Sequence, residues 1–211
     1  MLRCRPLPIR CTTMSSISQK PARRSDLPDA EARHAATRAV AGQAAADALL
    51  EEEGVQLLFR PITWRDVAVG DTWTYGGYAP GWAWAKALVK FRRGPRRVEA
   101  AVCVEHPGRA PELCGLILGR ISNGHVVASI QLMSRAPAPN PLEGRFARVA
   151  VRYLEFCAAS EHCETVALLQ PIPELVDYYR ELGFRRQYVK KGRIQRLERD
   201  LRDELSAAPG A

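Results

Sequence analysis

Apolar positions along this chain repeat with two different periods, and the switches between them mark its elements. Residues 55–62 read as a strand closed by Pro61. Three more short runs rich in Val, Ile and Leu follow at 98–104, 113–121 and 126–133. The turn sequences starting at His106 (His-Pro-Gly-Arg-Ala-Pro) and Ser122 (Ser-Asn-Gly-His) separate these runs, so an antiparallel meander is expected. Between the first strand and the meander lies a segment holding all four tryptophans, Trp64, Trp73, Trp82 and Trp84. A helix is expected there over 82–93. Trp84, Leu88 and Phe91 share one helical face while Trp82 points elsewhere, so one of the two tryptophans is expected near a surface or a cleft.

The period returns to helical after Asn140. Asn140 as cap, Pro141 in the first turn and Glu143 three positions on form a helix start, with Glu143 placed to complete a capping box. Leu142, Phe146, Val149, Tyr153 and Phe156 then make one stripe down to about Ser160. A buried strand at 165–170 and a helix at 173–182, stopped by Gly183, come next. The tail has Ile194, Leu197, Leu201 and Leu205 at helical spacing, predicting an amphipathic helix that docks on the domain or pairs two subunits. At the other end, Ser25-Asp26 before Pro28 opens an alanine-rich helix over 29–53. Its thin apolar face (Ala32, Ala35, Ala39, Leu49) suggests an appendage. The expected division is therefore 1–54 as a basic extension with this helix, 55–190 as the folded domain, and 191–211 as a C-terminal amphipathic helix.

The order strand, helix, three antiparallel strands, helix, strand, helix, closed by Tyr179-x-x-x-Gly183-Phe184, resembles the GNAT superfamily of acyl-CoA-dependent N-acetyltransferases. The likeness covers about residues 55–189 and is most specific over 126–184. It implies an α/β (α+β) fold, with a mixed, mostly antiparallel central sheet flanked by helices. It further implies that the strand at 126–133 splays from the one at 165–170 and offers the backbone of Gln131, Leu132 and Met133 to the pantetheine arm of acetyl-CoA, or another acyl-CoA, as co-substrate.

The family holds the CoA pyrophosphate on a loop of pattern Gln/Arg-x-x-Gly-x-Gly/Ala, where free N–H groups and a helix N-terminus accept the charge. The matching positions here are 141–146, and Gly144, Arg145 and Phe146 are the implied contacts. Pro141 replaces the Gln/Arg, and Phe146 replaces the small residue, with Ala147 one step later. Asn140 and Glu143 are expected to satisfy the same N–H groups, and Glu143 adds a repelling charge that Arg135, Arg145 and Arg148 can offset.

Tyr179 matches the family's general acid, because a phenol near pKa of about 10 is protonated at neutral pH and can protonate a departing thiolate. Packing of Tyr178 and Tyr179 against the sheet is the alternative role. Trp82 and Tyr78 are the implied acceptor contacts, unless the tryptophans only complete a small core. Glu99, Glu105, His106 and Glu112 are general-base candidates by location alone.

Composition adds exclusions. Hydrophobic and charged contents of 46% and 26% are those of an ordinary globular chain. No apolar run reaches the roughly 18 residues of a membrane span. The net charge of +8 concentrates in residues 1–24, which carry no acid, and after Phe184. Without zinc-finger spacing, an aromatic RNA-binding strand or a basic zipper, these clusters read as solvated tails, and nucleic acid is not an expected partner. The first 24 residues resemble either a transit peptide or a disordered extension. Pro6, Pro8, Pro21 and Pro28 favour disorder. Six cysteines without a C-x-x-C pair and four scattered histidines give no metal site, and fit small apolar roles in a reducing cytoplasm.

Two functions follow: an N-acyltransferase moving an acyl group from acyl-CoA to a small-molecule or protein amine, or a GNAT-type module that senses a ligand or binds a protein without catalysis. The C-terminal helix is the expected contact in any homodimer.

Overall fold

The computed structural model describes residues 27–75, 77 and 81–201. Strands β1 (Leu57–Arg60), β2 (Arg97–Val104), β3 (Glu112–Ile121), β4 (Val127–Arg135), β5 (Thr165–Leu169), β6 (Arg186–Lys190) and β7 (Arg193–Asp200) form one seven-stranded sheet in the order β1-β2-β3-β4-β5-β7-β6. Only β4 and β5 pair in parallel. The expected meander and the Ser122 hairpin are both present, with Ile121 opposite Ala128.

Alternation along β2 separates the two layers. Val98, Ala100, Val102 and Val104 join a core with α1 (Leu27–Glu53) and α4 (Phe146–Ser160), while Ala101 joins a second core with α2 (Trp64–Gly70) and α3 (Trp84–Phe91). All eight residues of β2 are buried. A strand covered on both faces must be apolar throughout, which is why its sequence shows no polar alternation beyond a buried ion network. In that network Glu99 bonds Arg92 at 2.5 Å and Arg97 at 2.5 Å, and Arg97 reaches Glu31 of α1 at 2.6 Å. Burial alone would raise the Glu99 carboxyl, but the two guanidinium groups hold it below its ordinary range.

Local sequence explains the second layer. Thr63 and Asp66 make a reciprocal capping box at α2, and Asp66 also pairs with Arg60 at 2.6 Å. Asp71, just past α2, accepts from the N–H of Trp84 at 2.5 Å and so caps α3 from outside. Trp84, on the face it shares with Leu88 and Phe91, is the tryptophan of the pair that is fully buried.

Four expectations need correction. First, α1 is no appendage: Ala41, Ala45 and Leu49 are fully buried against α4 and β1. Its apolar stripe is narrow because the helix packs close, and a Cβ on Gly42 would stand 3.0 Å from that of Phe59. Second, the tail is no helix. Residues 193–200 form β7, inserted between β5 and β6, so the domain runs past 190 and the helical dimer contact is withdrawn. The three-to-four spacing of Ile194, Leu197 and Leu201 is outweighed by the need of buried β5 for a partner on its second edge. Leu205 lies outside the described residues.

Third, α4 begins at Phe146, with Arg145 at the cap position and no side-chain cap. Asn140 instead ties the preceding loop to β3. Its Nδ2 donates to Cys114 O at 2.9 Å and its Oδ1 accepts from Leu142 N at 2.7 Å. Fourth, the helix at 173–182 is a 3-10 turn (Pro173–Leu175) followed by α5 (Val176–Glu181).

Buried Cys103, Cys114, Cys157 and Cys163 are free thiols, and burial pushes Cys157 up to about 12. They act as small apolar residues. No described helix is long and apolar enough to cross a membrane.

Candidate functional site

Strands β4 and β5 pair only from Val127–Thr165 to Ile130–Leu168, after which β4 continues alone to Arg135. The cause lies on its other edge. Opposite the Leu118–Gly119 step, β4 carries one extra residue, Gln131, between Ile130 and Leu132. Such a bulge bends and twists the strand locally, and here it turns β4 away from β5. Gly119 makes that close approach feasible, since a Cβ there would lie 1.9 Å from Ser129 O. The gap falls at Gln131, Leu132 and Met133, the residues the family likeness assigns to it.

A cleft of about 550 Å³ opens at this gap. Met133, Ser134 and Arg135 form one wall and Tyr178 and Tyr179 of α5 another, while Tyr75 and Trp82 approach from the second layer. Gly144, Phe146 and Ala147 supply the floor at the start of α4. Gly144 sits at φ +73°, a left-handed conformation that L residues adopt with strain. The Phe146 ring turns down over Gly115, where a Cβ would come within 2.2 Å of it. The bulky residue in place of a small one is thus absorbed by a glycine on β3.

Tyr179 is held by the end of its own helix. Phe184 N–H donates to Tyr179 O at 3.1 Å and Gly183 N–H to Arg180 O at 2.9 Å, a Schellman-type stop with Gly183 at φ +89°. The Tyr179 side chain is buried, and burial raises its phenol to about 12, so it is a proton carrier at every physiological pH.

Three polar atoms of the lining are buried without a hydrogen-bond partner: Trp82 Nε1, Arg135 Nη1 and the Tyr178 hydroxyl. All can donate. Buried donors are almost always satisfied, so three on residues that line one cleft mark a place where a small side-chain movement offers them to acceptor atoms of a ligand. Tyr75 donates to Arg135 O and so ties the two walls together. No carboxylate lines the cleft among the described residues.

The N-terminus of α4 differs from expectation. Because Asn140 and Glu143 do not cap it, the N–H groups of Gly144, Ala147 and Arg148 meet no acceptor among the described residues. The arginines are engaged instead. Glu53 of α1 lies 2.9 Å from Arg148 and 3.4 Å from Arg145, while Glu143 is 3.6 Å from Arg135.

Of the residues the sequence singles out, Met133, Gly144, Phe146, Trp82 and Tyr179 converge on the cleft. Leu132 packs against the second core, Gln131 faces a separate groove, and Arg145 points to Glu53. Tyr78 lies outside the described residues. None of Glu99, Glu105, His106 and Glu112 lines the cleft. Sequence reasoning missed Tyr75, Ile172, Leu175 and the Tyr178 hydroxyl. Only the aromatic density around residue 75 hinted at any of them.

With this geometry in hand, comparisons place the fold. A domain from Methanocaldococcus jannaschii superimposes with TM-score 0.52 at 14% identity, over 70% of this chain and 99% of that one. A protein from Bacillus halodurans gives 0.51 at 11%, over 69% and 84%. A spermidine N-acetyltransferase chimera of SpeG from Vibrio cholerae and hSSAT gives 0.50 at 19%, over 71% and 98%. No protein-family description and no curated protein matches the chain. The fold is the GNAT fold: a mixed, mostly antiparallel sheet between helices.

Proposed function

We propose that the protein is an N-acyltransferase that moves an acetyl or similar acyl group from acyl-CoA to a primary amine at the β4–β5 gap. The observation that carries this reading is the convergence on one cleft of a buried phenol, Tyr179, and three unpaired donors. Exposed β4 backbone beyond Ile130 binds the pantetheine arm as an added strand would. The free N–H groups at Gly144, Ala147 and Arg148, with the positive end of α4, suit the pyrophosphate.

The amine nitrogen attacks the thioester carbonyl carbon, forming the C–N bond. As the C–S bond breaks, the thiolate takes the Tyr179 phenolic proton, and the ammonium gives its surplus proton to water. Tyr179 is then reprotonated from solvent. Burial keeps the Tyr179 phenol protonated, so it can hydrogen-bond to the departing sulfur and hand over its proton as the C–S bond breaks. With no carboxylate among the described lining residues, the cleft does not suit a polycationic acceptor such as spermidine.

A second reading is favoured by Glu53, which engages both arginines beside the pyrophosphate position. In that case the protein is a catalytically inactive GNAT-fold module that senses a ligand or binds a protein. Calorimetric titration with acetyl-CoA, followed by thiol release in the presence of amine acceptors, separates the two. Micromolar binding with turnover supports the enzyme. Binding without turnover for every amine class supports the sensor, and the lack of any binding or thermal shift removes the acyl-CoA reading altogether.

A further inference from the structure

One face of the sheet is covered over only half its width. Along β5 and β7, Val166, Leu168 and Leu197 point into the main core, whereas Ala167, Leu169 and Arg196 alternate to the other side. There α2 and α3 cover only the β2–β3 half, through Ala101, Leu116 and Leu118. The β4–β5–β7 half is left as a groove of about 740 Å³, bounded by the start of α1 and the loop after α3.

Its chemistry is one-sided. Arg33, Arg96, Arg120 and Arg196 line it, and no carboxylate does among the described residues. Arg96 donates to Asn123 O at 2.8 Å and Arg120 to Lys90 O at 3.1 Å, so both guanidinium groups bind carbonyls and keep their charge uncompensated. Arg33 is exposed, and its guanidinium makes no hydrogen bond or ion pair among the described residues, its carbonyl alone accepting from Thr37 Oγ1 at 3.1 Å. Arg196 is the exception, lying 2.9 Å from Glu198, although its Nε lacks hydrogen-bond alignment.

The groove ends at Gln131 and Leu169, where β4 parts from β5. The aromatic cleft meets the same gap from Met133 onward. Two openings thus reach one gap, the first lined by aromatics and the second by arginines. The groove is also elongated: Val127 to Gln131 alone covers about 13 Å at the rise of a strand, room for four or five residues of extended chain. Among the described residues no Phe, Tyr or Trp lines it, and its His34 imidazole is held by Glu161 at 2.6 Å, so the row of stacking platforms a single-stranded nucleic acid uses is missing.

Resting on the acyl-transfer reading above, we infer that the acceptor amine is carried by an acidic peptide, whose carboxylates lie on the arginine groove while its amine enters the gap at Gln131. The charge of the groove, its length and its endpoint select this occupant together.

The test uses the full chain and a labelled peptide of alanine followed by four glutamates, with a four-glutamine peptide and a single-stranded oligonucleotide as rivals. In fluorescence anisotropy without acetyl-CoA, the acidic peptide should bind at least about tenfold tighter than the neutral one, the gap narrowing as salt rises. Arg33→Gln and Arg196→Gln should each weaken it about threefold, the worth of a solvent-exposed pair, whereas Arg65→Gln on α2, with the same loss of charge, should not. Equal binding of the two peptides, tighter binding of the oligonucleotide, or indifference to both groove variants overturns the inference. With acetyl-CoA added, the acidic peptide should be acetylated at its amine at least about tenfold faster than the neutral one at limiting concentration. Binding without acetyl transfer overturns the acceptor role alone and leaves the groove as an acidic-peptide site, while the acyl-transfer reading falls only if every amine class also goes unacetylated.

Discussion

Two clusters of buried polar side chains sit at opposite ends of the sheet, near the Arg97–Arg120 pairing and the Gly115–Arg135 pairing. At the first, every charge is answered: Glu99 accepts from Arg92, Arg97 and the Ile62 N–H, and Arg97 also holds Glu31. At the second, Trp82, Arg135 and Tyr178 each keep a donor without a partner around an open cleft. Both clusters carry buried polarity, but only one is closed. Satisfied polar groups lock α1, β2 and α3 together, whereas unsatisfied ones represent stability forgone where a ligand can recover it. Glu99, a general-base candidate by position, belongs to the closed cluster and has no lone pair to spare for catalysis.

The largest effect should come from opening the closed cluster. Glu99→Gln takes the shared carboxylate from the buried Arg97, which keeps Glu31, and from the one-third-exposed Arg92, and should cost about 2–3 kcal/mol, read as a lower urea midpoint at unchanged slope. A loss below about 1 kcal/mol would show that the network is not what joins the layers. Acid should act on the same group. Because the folded Glu99 carboxyl is depressed, its contribution is complete above the unfolded value near 4.5 and fades as pH falls toward the depressed folded value. The variant should therefore lose the steepest part of the acid-side stability profile.

Next in size is Tyr179→Phe. It should lower the acyl-transfer rate by about 10²-fold or more with acetyl-CoA affinity unchanged, and an unaltered rate would assign Tyr179 to packing alone. With the phenol pushed up to about 12, the wild-type rate should show no alkaline fall from this group below about pH 10.

Gly144→Val forces a branched residue into a left-handed conformation and should cost about 1–3 kcal/mol while abolishing any acetyl-CoA thermal shift. The smallest effect separates the clusters most cleanly. Tyr178→Phe removes a hydroxyl whose own proton has no acceptor and whose tie to Arg148 is to a guanidinium already held by Glu53, so stability should stay within about 0.5 kcal/mol. A clear loss would mean the open cluster is closed by contacts of its own.

Much of the fold was legible. The meander, the Ser122 hairpin and the buried strand at β5 all follow from local period and turn chemistry, and each is present. The candidate site was legible in part. Gly183 announced the helix stop that fastens Tyr179, and Trp82 was set apart from Trp84 by a two-residue offset. Tyr75, Ile172 and Leu175 were not readable, because their roles depend on which segments meet across the gap. The start of α4 misled for a definite reason: Asn140 and Glu143 have good capping chemistry, but Asn140 found better partners on β3 than on the helix.

The sequence alone determined which segments are apolar, where they turn, and that a phenol stands at the end of a glycine-stopped helix. These depend on interactions within a few residues, where period and propensity act directly. Only the tertiary structure decided that residues 193–200 are a strand, that the narrow face of α1 is buried, that the bulge at Gln131 parts β4 from β5, and that the α4 N–H groups stay free. Each of these depends on a partner far away in the chain. A strand edge, a close-packed neighbour or a competing acceptor outweighs local preference by more than the few tenths of a kcal/mol that propensity supplies, about the spread among ordinary residues.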